Sequence, residues 1–214
     1  MKQGFNRRHL LAAGLVATVI GGPAKAQEAV QIGFITTLST PAGYIGEDIR
    51  AGFELAMSEG KLGGVPVKLV VEDDALKPAN AKQAADRMIQ SGIKLFTGVN
   101  FSNVLAAVVP GVLESGGIYV SLNPGTSTFA GEKCSPNYFV ASYQNDAFHD
   151  AAGLSANELG YKRVVLLAPN YQAGRDALEG FKRTYKGQVT GEIYTKLDQT
   201  DFSVELARIR GLAP

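Results

Sequence analysis

The chain has 214 residues, 45% hydrophobic and 19% charged, with a formal net charge of +1 and one cysteine, Cys134. Near-neutral charge gives no electrostatic reason to expect nucleic acid or an anionic membrane surface as a partner. A single cysteine excludes an internal disulfide.

The N-terminus reads as an export signal. Arg7 and Arg8 precede an apolar run from Leu10 to Gly22, and Ala24 and Ala26 take the small positions of PAKA, the order of a secretory signal and its cleavage site. The run is too short and Gly-rich for a comfortable membrane span. Met1–Ala26 is expected to be removed, the twin arginines fitting export in the folded state, which leaves a periplasmic chain from Gln27. Losing Lys2, Arg7, Arg8 and Lys25 leaves 17 basic against 20 acidic residues, a net charge of −3.

From Gln31 strand and helix signals alternate. The stretch QIGFITTLSTPAGYIGEDIRAGFELA (Gln31–Ala56) runs from an apolar strand through a Gly/Ser/Thr/Pro loop into an amphipathic helix. Such a junction sets hydroxyls and helix N–H groups at the carboxyl end of a strand, where open α/β sheets bind small anions. Val65–Asp74 is β-rich, and Pro78 opens a helix whose Ala81, Ala84, Ala85, Met88 and Ile89 share one face. Ile93–Val99 predicts a strand leading through NFSN to a helix near Val104–Leu113, and Ile118–Leu122 a strand leading into NPGTST. The order predicts a parallel sheet covered on both faces.

Past Cys134 the character changes. Ser135–Asp146 reads as extended, aromatic and polar, and a domain boundary is expected within Phe139–Asn145. A second series follows: a helix near Asp146–Leu159, a strand Arg163–Pro169, a helix Gly174–Tyr185, a strand Gln188–Leu197 and a helix beginning in Asp201–Arg210. Residues 27–140 are assigned to the first unit and 141–214 to a second, incomplete one, with proteolysis expected to cut after Asn145.

Catalytic motifs are missing. His149 is the one histidine after the signal, with no cysteine or second histidine near it, so a His-based zinc site is not expected. There is no G-x-S-x-G to present a nucleophile, and no G-x-G-x-x-G or G-x-x-x-x-G-K-[ST] for a nucleotide. The reading is therefore of no enzyme and no cofactor. Glu72, Asp73 and Asp74 are read as turn and cap chemistry ahead of Pro78 rather than a metal cluster. What remains is a set of polar loops expected at one sheet edge: Ser39 and Thr40; Ser102 and Asn103; Asn123, Thr126, Ser127 and Thr128. A carboxylate held there would take several charge-assisted bonds at once. Tyr44 and Tyr171 occupy corresponding strand–helix loops of the two units and could close over an apolar ligand body.

At these residues the chain resembles the type I periplasmic solute-binding proteins of ABC transporters, specifically the branched-chain amino-acid binding family. The segments that carry it are TLSTPAGYIGEDIRAGFELA, KLGGVPVKLVVEDDALKPANAKQAADRMI, FTGVNFSNVLAAVVPGVLESGGIYVSLNPGTST, PNYQAGRDALEGFKR and DFSVELARIR. The resemblance implies two α/β lobes, the second truncated, closing on a small carboxylate that is passed to a membrane permease by a monomeric binding protein. It implies that Ser102 holds the carboxylate, that Gly125 and Ser127 meet the ligand's polar end, and that Tyr44 and Tyr171 supply the aromatics. Asn103 and Thr126 complete the candidate set. The family's acidic residue for an α-ammonium falls past Pro214, and NFSNV in place of a Ser/Thr run resembles relatives that carry aromatic carboxylates. The alternatives are thus an aromatic-acid binder of the same fold or a ligand-sensing receptor domain.

Overall fold

A computed structural model describes residues 28–60, 63–123, 125–130 and 133–214. The expected signal Met1–Ala26 lies outside the described residues, among which no helix is long and apolar enough to cross a membrane.

The first sheet has five parallel strands in the order β2-β1-β3-β4-β5. They are β1 (Val30–Thr36), β2 (Val67–Asp73), β3 (Leu95–Thr97), β4 (Ile118–Ser121) and β5 (Tyr138–Val140), connected through α1 (Gly43–Ser58), α2 (Pro78–Gln90) and α3 (Ser102–Glu114). Alternation along β1 explains the two covered faces. Phe34 is fully buried and meets Phe53 of α1 edge-on at 5.5 Å. Its neighbour Ile35 points the other way, into a cluster with Met88 of α2 and Val104, Leu105 and Val108 of α3. Gly33 has no side chain because Phe96 and Met88 already fill the space where a Cβ would stand.

One expectation is refined here. Ser135–Asp146 contains a strand: Tyr138–Val140 pairs in parallel with Tyr119–Ser121 and makes the fifth strand of the sheet. It carries aromatics because Tyr138 lies between Tyr119, on which it stacks, and Phe129, which it meets at a tilt, at centroid distances of 6.2 and 5.0 Å. Burial pushes the Tyr138 hydroxyl up to about 12.

The second sheet pairs β6 (Arg163–Pro169) and β7 (Gln188–Thr195) in parallel, flanked by α4 (Ala147–Glu158), α5 (Gln172–Thr184) and α6 (Ser203–Leu212). Its buried cluster is Leu166, Ala168 and Leu178, with Val164, Phe181 and Val189 against it. The two βα junctions repeat one device. Gly43 at the start of α1 lies against the Leu38 carbonyl, and Gly174 near the start of α5 lies against the Pro169 carbonyl, each too close to admit a Cβ. Both helices therefore begin hard against the end of their strand, and loop groups gather at the carboxyl edges of both sheets.

Candidate binding site

The loops after β1, β3 and β4 meet at the carboxyl edge of the first sheet, but their hydroxyls divide between two jobs. Several serve the loops themselves. Thr40 Oγ1 accepts from the Ala42 N–H at 3.3 Å, and the buried Thr126 caps the short 3-10 turn Ser127–Phe129 by accepting from the Thr128 N–H at 3.4 Å. Thr37 donates to Asp74 at 2.6 Å. Asp73 accepts from the Leu38 and Ala75 N–H groups at 2.9 and 2.8 Å. These bonds hold Ala75 and Leu76 at positive φ, 49° and 59°, a conformation non-glycine residues seldom adopt. Glu72 pairs instead with Arg87 at 3.1 Å.

The two adjacent carboxylates are driven in opposite directions. Burial pushes Asp73 up, but donors from the Ser39 hydroxyl and the Leu38, Ala75 and Ser39 N–H groups outweigh it and leave it below the ordinary value. Asp74 is fully buried, and desolvation wins over its bonds to Thr37 and Leu76, so it lies above that value.

Ser102 belongs to a different arrangement. It is the first residue of α3, whose N-cap Phe101 contributes no side-chain acceptor, so the positive end of the helix is left without a cap. Ser102 is 2% exposed, and its Oγ accepts from Asn145 Nδ2 at 3.0 Å. Beside it, the buried Asn100 Nδ2 and Asn103 Oδ1 have no partner among the described residues, a state in which polar atoms in native proteins rarely remain without ligand or water. Asn100 is itself fastened on both sides: its Oδ1 accepts from the Thr37 N–H at 3.4 Å and its carbonyl from Asn123 Nδ2 at 3.0 Å.

Asn145, which sequence reasoning did not single out, ties the site together. Its N–H donates to the Gly125 carbonyl at 2.7 Å, and its Oδ1 accepts from the Gly125 N–H at 3.2 Å. Its Nδ2 donates both to Ser102 and, at 2.9 Å, to Asp176 Oδ2 of α5. Its carbonyl meets His149 Nδ1 at 3.0 Å. Gly125 is glycine because Tyr143 and Gln144 cross directly over it. The next residue, Asp146, is buried and turns toward the second sheet, where Arg183 reaches both it and Asp150 at 2.9 and 2.6 Å. These carboxylates hold the Arg183 guanidinium above its ordinary range.

Of the other candidates, Tyr44 is 67% exposed, whereas Tyr171 packs against the core of the first sheet from the start of α5. Burial, then Tyr143 and Asp176, push the Tyr171 hydroxyl up. Two cavities flank Tyr143. One of about 330 Å³ is lined by Tyr143, His149, Leu167, Pro169, Tyr171 and Ala177. The other, of about 350 Å³, is lined by Gly125, Thr126, Phe129, Tyr138 and Val140. Thus Tyr171 faces the first and Gly125 and Thr126 the second, while Tyr44, Ser102, Asn103 and Ser127 line neither.

Residues 29–214 match the family model described as periplasmic binding protein. The chain belongs to that family. A Leu/Ile/Val-binding protein of Rhizobium johnstonii is 27% identical over 209 residues, covering 94% of this chain and 56% of the relative. The structure of a solute-binding protein of an ABC transporter from R. palustris, in complex with benzoate, superposes with a TM-score of 0.79 at 30% identity, covering 87% of this chain and 54% of that one. A leucine-binding protein of Thermotoga maritima shares the fold at a TM-score of 0.74 and 22% identity, with 87% and 54% covered. The family and these neighbours are solute-binding proteins, and the chain spans little more than half the length of each relative.

Proposed function

We propose that the chain is part of the extracytoplasmic solute-binding component of an ABC uptake transporter, and that it takes a small carboxylate to a membrane permease. The observation that carries this is the α3 N-terminus: a helix start without a side-chain cap, the Ser102 hydroxyl, and the buried Asn100 Nδ2, a donor without a partner among the described residues. Helix N–H groups and a hydroxyl converging in a buried place suit an anion. Asn103 and Ser127 flank the same edge, and Tyr171, with the apolar cavity beside it, is suited to the ligand body. Tyr44, which lies in the first turn of α1 rather than in the loop before it, is the aromatic of the first junction.

An aromatic acid is the favoured ligand. Asp176, a buried carboxylate bonded to the Asn145 amide that meets Ser102, already accepts from Asn145 and Gln172 at 2.9 and 2.7 Å, so it offers little to an α-ammonium. Solved relatives 30% and 29% identical hold benzoate and 4-hydroxybenzoate. The second reading, a branched-chain amino acid, draws support from the curated relatives described as Leu/Ile/Val-binding proteins, 27% and 25% identical. Titrating the purified protein with benzoate, 4-hydroxybenzoate and leucine by calorimetry separates these readings. Binding of the aromatic acids, weakened at least tenfold by Ser102→Ala, is expected. Binding of leucine alone would support the second reading, and heat unchanged by Ser102→Ala would remove the clamp from this helix.

A further inference from the structure

We infer that Asn145 is a positioning residue that sets the polarity of the Ser102 hydroxyl, turning its proton away from the protein and toward an anionic ligand, with Asp176 and Gly125 fixing the orientation of the Asn145 amide. The inference rests on the carboxylate reading of the α3 N-terminus.

A serine hydroxyl has one proton to donate and lone pairs with which to accept. Which of these it offers a ligand depends on what its protein partner takes. Asn145 Nδ2 can only donate, so Ser102 accepts from it and its own proton stays available. An oxygen in the same place would draw that proton inward and leave lone pairs facing the ligand, which would repel a carboxylate.

The amide could place either its oxygen or its nitrogen against Ser102, so something must decide the flip. Two independent contacts do. The Gly125 N–H is a donor and requires the Asn145 oxygen on its side. Asp176 Oδ2, a carboxyl oxygen, accepts at 2.9 Å and requires the nitrogen on the other. Asp176 is 5% exposed, forms no ion pair among the described residues, and has its other oxygen accepting from Gln172 Nε2 at 2.7 Å. The donors therefore run in order: Gln172 into Asp176, Asn145 into Asp176 and into Ser102, and Ser102 outward. The polar atoms of Asn145 are all committed, and the residue is 8% exposed, at the wall of the cavity of about 330 Å³.

The arrangement also gives α5, on the second sheet, a hold on the hydroxyl of α3. Removing the Asp176 acceptor frees the amide to rotate, and the Ser102 proton is then directed inward part of the time.

Two measurements on the whole protein test this. The first needs no ligand: the side-chain amide protons of Asn145 are followed by nitrogen-resolved NMR. Both are expected to exchange slowly with water, and Ser102→Ala should speed one at least tenfold while leaving the melting temperature close to that of the parent. Free-amide exchange in the parent protein, or two protons unmoved by Ser102→Ala, overturns the inference. The second uses benzoate as the probe. Asn145→Asp keeps the shape and replaces the donor with an acceptor, so it should weaken benzoate at least as much as Ser102→Ala, and the double variant should be no weaker than Ser102→Ala alone. Asn145→Leu, which removes the donor without adding an acceptor, should lose less than Asn145→Asp. Losses that multiply in the double variant overturn the inference, because they describe a residue acting through stability alone. If the parent protein gives no heat with benzoate but the NMR result holds, the aromatic-acid reading fails and the Asn145–Ser102 polarity stands.

Discussion

Gly125 and Asn145 hold each other by two hydrogen bonds, one from each N–H, at 3.2 and 2.7 Å. The pair clamps the loop after β4 to the segment that leaves the first sheet, and it leaves no room above Gly125, where the Tyr143 carbonyl passes. Gly125→Ala must part these segments. We expect a loss of about 1–3 kcal/mol in urea unfolding, the usual range for overpacking a close contact. A change below about 0.5 kcal/mol would show that the crossing is loose.

Ser102 and Ser127 are the hydroxyls assigned to the ligand carboxylate. Truncating both to alanine should weaken an aromatic acid by the loss of charge-assisted bonds, each worth about 1.5–3 kcal/mol. Calorimetry of Ser102→Ala, Ser127→Ala and the double variant apportions the loss. An effect confined to Ser102 would take Ser127, on the 3-10 turn, out of the site.

Arg183 faces Asp146 and Asp150, and Asp146 is 3% exposed at its side chain. Arg183→Met keeps the stem and removes the charge, leaving a buried carboxylate without its cation. Such a loss can reach about 3–5 kcal/mol in a dry interior. Arg183 itself is 53% exposed, so screening reduces the figure to about 1–2 kcal/mol. Asp146→Asn in the Arg183→Met background should recover part of it, as read by thermal unfolding.

Asp74 gives a pH signature. Its carboxyl lies above the ordinary 3.8 because burial disfavours the charged form. The folded state therefore binds its proton more tightly than the unfolded chain does. The resulting stability is fully present below pH 3.8 and is lost as pH rises through the folded value. Asp73, held below 3.8, does the reverse and contributes above that pH. Asp74→Asn should thus gain on the parent protein as pH rises from 3 to 7. Parallel stability curves for the two proteins would refute this.

The first sheet should outlast the second under protease. Its cluster runs through β1, β3, β4, α2 and α3, whereas the second rests on Leu166, Ala168 and Leu178. Sequence reasoning places the first cut after Asn145, but Asn145 and Asp146 are buried and bonded on both sides. The exposed residues are Ala141–Gln144. Mass spectrometry of early fragments should find cleavage there, since open, weakly bonded backbone is cut first.

Much of the fold is legible because it rests on local signals. Pro78 at the start of α2 and the shared face of Ala81, Ala84, Ala85 and Met88 place that helix without any tertiary knowledge. β5 is harder: three residues, two of them aromatic, owe their strand to Tyr119–Ser121 nearly twenty positions earlier. The hydroxyls were legible as a group but not by role. Thr126 caps a turn and Ser102 does not, and both look alike in sequence. Asn145 left the faintest trace. An Asn-Asp pair ahead of a helix reads as capping, yet Asp146 makes no cap bond and turns to Arg183, while the partners of Asn145 lie 20, 31 and 43 residues away.

Those two neighbours answer to different sheets. Asn145 is bound through its own N–H and side-chain oxygen to Gly125, and Asp146 through its carboxylate to Arg183. The peptide unit between Asn145 and Asp146 is thus held at one end by the loop after β4 and at the other by α5. The bond from Asn145 to Asp176 crosses the same junction, so a displacement of α5 from the first sheet is felt at the very amide that meets the Ser102 hydroxyl.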